Sequence, residues 1–504
     1  MERRGSYGAA RATAPTRWVD RAGCRFASRP GRSPEGPVVL SRGAPASARS
    51  SRPQTARPPQ ATNNASAKPG LAARQVAGRL LAAVVDRQVS LDGMLNATGG
   101  NAAYLALSNA DRALVRAILA TALRRRAAIE TALRHLVERP LPEGARSLHF
   151  ILCVGAAQIL YLDVPDHSAV DLAVAQAHDD PRGRRFAKLV NAVLRRLSRE
   201  KDVHLAKADP PLQGLPDWFR DRLVSIYGSK ADAIAAMMAE PPTLDLTVRR
   251  DAETWAERLD AECLPTGTVR LVEQTGSVAD MPGFAEGAWW VQDAAAALPV
   301  KLFGPLEGMR VGDLCAAPGG KTAQLAAAGA RVTAIDRSAN RLVRLRENLA
   351  RLGLEAECVQ ADLLAYTPET LFDAVLLDAP CSSTGTARRH PDVPFTKSPA
   401  EIEKLADLQL RLLSHAAGLV RPGGYIVYST CSLDPREGED VVARALSDDE
   451  RLSRVPVAEA TLPGLAEAIQ ADGSVRTTPA MLERVPARVG GLDGFYAAVL
   501  RRAG

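Results

Sequence analysis

The 504-residue chain is 46% hydrophobic and 24% charged, the balance of a soluble globular protein with a sizeable core. No apolar run reaches the length of a membrane span, and the seven cysteines show neither paired close spacing nor a disulfide-rich density, which points to a reducing cytoplasm without a structural zinc site. The net charge of +7 is uneven: residues 1–70 hold 13 basic and 3 acidic side chains, 71–205 hold 19 and 13, and 206–504 hold 32 and 41. Bulk charge therefore does not mark the C-terminal half as a nucleic-acid binder; only local patches can.

Residues 1–70 are rich in Arg, Ser, Pro, Gly and Ala without hydrophobic periodicity, so they are expected to be disordered. Their acid-poor composition resembles an organelle transit peptide, and equally fits an over-extended start or a basic arm. From 71 to 203 apolar residues recur at helical spacing in Val76–Val85, Ala113–Leu123, Leu148–Tyr161, Val170–His178 and Phe186–Leu197, which predicts an all-α bundle. Arg124, Arg125 and Arg126, and the group Arg182, Arg184, Arg185 and Lys188, are candidate phosphate contacts, with a solvated helix face as the alternative. Residues 204–290 read as a small α/β adaptor: a helix near Trp218–Tyr227, an alternating strand over Thr243–Arg250 and a helix near Ala252–Ala261.

After residue 291 strands and helices alternate, which predicts a doubly wound, Rossmann-like parallel sheet. Strands are expected near Arg310–Leu314, Arg331–Ile335, Glu355–Val359, Ala374–Leu377 and Tyr425–Tyr428. Asp313, Asp336, Asp362 and Asp378 fall at or just after the first four strand ends, where ligands bind in such sheets. The loop Cys315, Ala316, Ala317, Pro318, Gly319, Gly320 and Lys321 is neither the Gly-x-Gly-x-x-Gly of dinucleotide folds nor a complete phosphate loop. Its glycines leave room for a ligand, and the following helix N-terminus offers N–H groups to a carboxylate such as that of S-adenosylmethionine. Asp336 can accept ribose hydroxyls, and Asp362 is placed for an adenine edge.

Two thiols complete the pattern. Cys381 follows Asp378-Ala379-Pro380 and Cys431 follows the strand ending at Ser429, so two strands deliver two thiols to one crevice. C5 of cytosine is a poor nucleophile; a thiolate adding to C6 pushes electron density onto C5, where a methyl group can be captured. Asp378 can bind the cytosine amino group and N3, which makes C6 electrophilic. On chemistry alone either cysteine can attack. Arg388, Arg389 and His390 form a candidate basic loop for the target strand, and Trp289-Trp290 can stack on a base or pack a domain joint.

Asp111-Arg112-Ala113-Leu114, Leu123-Arg124-Arg125, Asp163–Val170 and Asn191–Arg196 together resemble the NusB-type domain that precedes the catalytic half in one group of bacterial ribosomal RNA methyltransferases. Asp313–Thr322, Asp378–Ser382, Arg388–Asp392 and Tyr428–Ser432 resemble RNA cytosine-C5 methyltransferases, and the resemblance extends over about 71–504. It implies that Cys431 attacks C6, that Cys381 assists elimination and release, that S-adenosylmethionine is the cofactor, and that a cytidine of 16S rRNA is the substrate of a cytoplasmic monomer. A transfer-RNA cytosine-C5 methyltransferase and a non-catalytic NusB-like RNA-binding protein are the alternatives. Two departures stand out: Ser383 where the family commonly has Gly, and Val393-Pro394-Phe395 in place of a basic or Trp-containing stretch.

Overall fold

The computed structural model describes residues 68–504 apart from 98, 139–140, 142, 272–275 and 483–488, so the expectation for the N-terminal segment lies almost wholly outside the described residues. Helices Leu71–Arg87, Asn109–Arg124, Arg126–Leu136, Arg146–Tyr161, Asp166–Asp179 and Ala187–Arg199 form an α-helical bundle around one continuous core. Arg146–Tyr161 is buried on nearly every side, because its sequence is apolar all round rather than on one stripe. Gly155 lets it approach its neighbour: a Cβ there would meet Leu194 Cδ1 at 2.6 Å. The five helices expected from periodicity are present; Arg126–Leu136, which follows Arg124 after a single-residue break, is an addition.

Between the bundle and the large sheet, helices Asp217–Tyr227 and Ala231–Ala239 lead into a small antiparallel sheet of β1 (Leu244–Val248), β2 (Glu262–Cys263), β3 (Thr268–Leu271) and β4 (Trp289–Val291), in the order β2-β3-β1-β4. Its centre holds a fully buried ion pair in which the Arg270 guanidinium donates twice to Asp245, at 2.8 and 2.7 Å.

The large sheet contains β5 (Arg310–Leu314), β6 (Arg331–Asp336), β7 (Glu357–Gln360), β8 (Phe372–Asp378), β9 (Val420–Thr430), β10 (Leu452–Val455), β11 (Val475–Thr477) and β12 (Phe495–Arg502). The order is β7-β6-β5-β8-β9-β12-β10, with β11 also on β12; β5 to β9 run parallel and β12 antiparallel. Side chains alternate between two cores: Val375 and Leu377 pack with Leu413 and Ala416 of helix Pro399–Leu419, whereas Ala374 and Leu376 pack with Leu325 and Val300. Strand order reverses between β5 and β8, and that switch point is where the crevice opens. Among the described residues no helix is long and apolar enough to cross a membrane.

Candidate active site

The carboxylates take their places from the sheet. Asp336 and Asp378 are the last residues of β6 and β8, Asp313 is the penultimate residue of β5, and Asp362 follows β7 by two positions. Asp336 is buried, and its oxygens accept N–H groups from Ala317 at 3.2 Å and Ser338 at 2.8 Å, which fixes it against the loop 315–320. Asp362 is exposed and caps the turn after it, accepting from Leu364 N at 3.0 Å. Asp313 is fully buried, accepts from Thr322 Oγ1 at 2.5 Å, and keeps Oδ1 unpartnered among the described residues. Burial first, then the Asp378 and Asp336 charges, push its carboxyl up to about 7.

The loop is bent by Cys315, a non-glycine at φ +64°, and by Gly319 at φ +103°. Gly319 serves helix packing more than ligand approach, since a Cβ there would strike Leu345 Cγ at 2.7 Å; at Gly320 a Cβ would meet only the Gln292 side chain, in ordinary contact at 3.8 Å. Burial pushes the Cys315 thiol up to about 12, so this residue contributes backbone shape rather than a thiolate. Ala316 N donates to Ile335 O at 3.0 Å, locking the loop onto β6. Pro318 completes the turn, and the helix Gly320–Ala327 starts behind it with its first N–H groups facing outward from the helix. A cluster of carboxylates with one unpartnered buried oxygen, beside an open helix N-terminus, fits a ligand carrying both a cation and a carboxylate, as S-adenosylmethionine does.

The thiols meet. Cys381 Sγ and Cys431 Sγ are 3.4 Å apart, although 50 positions separate them in sequence. Their mutual contact holds Cys431 below the ordinary thiol range and, with burial and the Glu437 charge, pushes Cys381 well above it. Of the two, Cys431 is the thiol favoured to lose its proton first. Ser383 adds a second contact, its Oγ 3.5 Å from Cys431 Sγ. It does so from φ +59°, a left-handed backbone that glycine adopts more readily than serine. Lys321 Nζ donates to Asp378 at 2.7 Å and Ser429 Oγ donates to its other oxygen at 3.0 Å, so Lys321 orients Asp378.

Sequence reasoning missed the group behind the thiols. Glu437 is fully buried and accepts from Ser382 N at 2.8 Å, Gln409 Nε2 at 3.0 Å, Ser432 Oγ at 2.5 Å and the Ser382 hydroxyl. A Glu in the polar run 434–440 carries no periodic signal, so only its closeness to Cys431 hinted at it.

The basic loop requires a correction. Arg388 is fully buried and donates to Gly490 O at 3.2 Å; Arg389 pairs with Asp293 and, at 3.0 Å, with Asp493. Neither faces a strand of RNA. Asp392 accepts from Leu91 N at 2.9 Å and Ser90 Oγ at 3.3 Å, and Phe395 packs against the helical core beneath Arg126. The loop 388–395 is thus the socket for the helical bundle, and Phe395 serves that joint. Arg124 donates to Arg388 O at 3.1 Å, and burial pushes it down to about 10; Arg125 pairs with Glu240 at 2.9 Å and Arg126 with Glu130 at 3.0 Å. Arg182, Arg184, Arg185 and Lys188 stay exposed. Trp289 and Trp290 are buried, donating to Pro282 O and Gln292 Oε1, so they pack the joint.

Glu130, His149 and Cys153 gather three ligand-type atoms within 4.8 Å of one another in the bundle. Glu130 is engaged by Arg126 and by His149, both at 3.0 Å, and burial pushes the Cys153 thiol up. The trio is an ion pair set against the bundle core.

The family described as 16S rRNA methyltransferase RsmB/F matches residues 300–501, and the NusB family matches residues 71–199. Ribosomal RNA small subunit methyltransferase B of Xanthomonas campestris pv. campestris is 37% identical over 452 residues, covering 86% of this chain and 98% of the relative. The chain belongs to the ribosomal RNA small subunit methyltransferase B family. A second family member, from Erwinia tasmaniensis, is 33% identical over 447 residues, covering 85% of this chain and 98% of its own. The solved structure of PH0851 shares the fold, with TM-score 0.62 at 22% identity, over 86% of this chain and 99% of that one. As a family member the chain is an S-adenosylmethionine-dependent methyltransferase with an N-terminal NusB domain.

Proposed function

We propose that the protein methylates C5 of a specific cytidine in 16S rRNA through a covalent adduct between Cys431 and C6 of the base. The observation that carries this reading is the thiol pair at 3.4 Å beside Asp378, at the carboxyl end of the parallel strands. S-adenosylmethionine, when bound, supplies the methyl group as an electrophile. The loop from Cys315 to Lys321, with Asp336, Asp362 and the buried Asp313, would hold it, Asp336 accepting ribose hydroxyls and Asp362 the adenine edge.

Cys431 adds to C6 as the thiolate, and the electron pair moves onto C5. Asp378, held by Lys321 and Ser429, faces the amino group and N3 and stabilises charge as it develops on the ring. After methylation C5 gives its proton to solvent, the electron pair of that C–H bond reforms the C5–C6 double bond, and the Cys431 Sγ–C6 bond breaks with the sulfur leaving as a thiolate. Cys381, already in contact with Cys431, is the group positioned to assist that elimination. The base must leave its stack to reach the thiols, so single-stranded or incompletely assembled rRNA is the substrate form. The exposed Arg182, Arg184, Arg185 and Lys188 supply phosphate contacts from the bundle. The protein acts as a cytoplasmic monomer, because the socket 388–395 already covers a face of the bundle.

Bisulfite sequencing of total RNA from cells with and without the gene tests the reading. Loss of one protected cytosine in small-subunit rRNA is expected; loss in transfer RNA instead, or no loss, would overturn it.

A further inference from the structure

The two thiols reach the crevice with unequal support. Cys431 comes directly after β9, whose ladder to β12 runs through Thr430 and whose ladder to β8 runs through Ser429. Cys381 lies three residues beyond the last residue of β8, in the middle of a loop outside the strand ladder. Backbone bonds hold its two ends, Ala379 N to Ser429 O at 2.9 Å and Gly385 N to Cys431 O at 3.0 Å; between them the buried Glu437 carboxylate holds the middle. Two of its four donors come from Ser382, the N–H at 2.8 Å and the hydroxyl; a third is Gln409 Nε2 at 3.0 Å, which also donates to Pro380 O at 2.9 Å. The fourth, Ser432 Oγ at 2.5 Å, ties the residue after Cys431 to the same carboxylate. Four donors converging on one acceptor-only group make charge-assisted bonds, stronger than neutral ones. The Glu437 backbone is pinned in turn, its carbonyl accepting from Tyr428 OH at 2.7 Å.

We propose that Glu437 is a positioning residue for the release half of the reaction, clamping the Cys381 loop against the Cys431 adduct. The clamp acts through Cys381 and touches neither base nor cofactor. The inference rests on the covalent mechanism proposed above. Because the β9 ladders to β8 and β12 hold Cys431 besides its Ser432 tie to Glu437, weakening the clamp leaves addition and methyl transfer largely in place and slows elimination.

Glu437→Gln tests this, since it keeps the shape and turns one acceptor oxygen into a donor facing donors. The full-length variant is incubated with a small-subunit rRNA transcript and methyl-labelled S-adenosylmethionine, and single-turnover transfer, multiple turnover and SDS-stable adduct are read together. The expected result is single-turnover transfer within about threefold of the parent and multiple turnover about tenfold slower, equivalent to roughly 1.4 kcal/mol. Adduct should accumulate toward the level of Cys381→Ala, with cofactor affinity unchanged. Equal loss in both rates without adduct would overturn the proposal, because a merely structural defect slows the first turnover too. Should Glu437→Gln fail to fold, Ser382→Ala removes one donor and must show a smaller rise in adduct; its absence is equally fatal. Cys381→Ala and Cys431→Ala run alongside separate the two hypotheses. If Cys381→Ala forms no adduct the covalent reading itself falls, whereas adduct there and none in Glu437→Gln removes only the clamp.

Discussion

The thiol loops and the loop 388–395 belong to the same connections above the sheet, yet their polar side chains have opposite fates. Cys381 and Cys431 turn into the crevice and meet; Arg388, Arg389 and Asp392 turn inward and join three parts of the molecule. A charge on a loop therefore does not say what it faces. The partners of Arg389 lie 96 and 104 positions away, at Asp293 and Asp493, where no local pattern reveals them. The thiols were legible because a strand end fixes where the following residue points, and the sheet order brings two such ends together.

The contrast breaks most visibly at Cys431. Cys431→Ala should lower methyl transfer by roughly 10⁴-fold or more, because the addition step disappears, while the melting temperature stays near the parent value. A labelled-methyl transfer assay beside thermal unfolding measures both. On the interior side, Asp245→Ala strands the buried Arg270 guanidinium and should cost roughly 3–5 kcal/mol in denaturant unfolding. Asp392→Ala, which leaves the Leu91 N–H without its acceptor, should cost about 1–3 kcal/mol and speed hydrogen exchange at the bundle joint.

A sharper division separates structural from RNA-facing arginines. Arg184→Ala with Arg185→Ala should weaken rRNA binding and flatten its salt dependence by about one unit of log–log slope for each phosphate that is no longer neutralised. Arg389→Ala should destabilise the fold and leave that slope alone.

The smallest effects concern protonation. Asp313 sits near 7 in the fold and near the ordinary carboxylate value of 3.8 when unfolded. Its contribution to stability is complete below about 4 and is lost as pH rises through about 7, so unfolding free energy should fall across that window. Asp313→Asn should flatten the fall in pH-dependent melting; an unchanged slope would contradict the assignment. Ser383→Gly, which removes a contact to Cys431 Sγ and relieves a left-handed serine, should shift alkylation of Cys431 by iodoacetamide to higher pH.

Much of the fold could be read from pattern. The parallel strands stand where the alternation places them, and Asp336 and Asp378 end theirs, because a two-residue period and a following turn are local properties. In the adaptor sheet only β1 was legible, within the alternating stretch Thr243–Arg250; stretches such as Glu262–Cys263 are too brief to show alternation. Glu437 and Gln409 were hidden for another reason. Each is a polar residue in a polar or helical stretch, and each acquires its role only when distant strands bring their loops onto it. Ser383 was noted as a departure, yet its contact with Cys431 needed coordinates.

The most direct test of the account is a denaturing gel of wild type, Cys431→Ala and Cys381→Ala after incubation with small-subunit rRNA and S-adenosylmethionine. An SDS-stable protein–RNA band in Cys381→Ala and none in Cys431→Ala is predicted. The reverse pattern would make Cys381 the nucleophile and contradict the ordering of the two thiols.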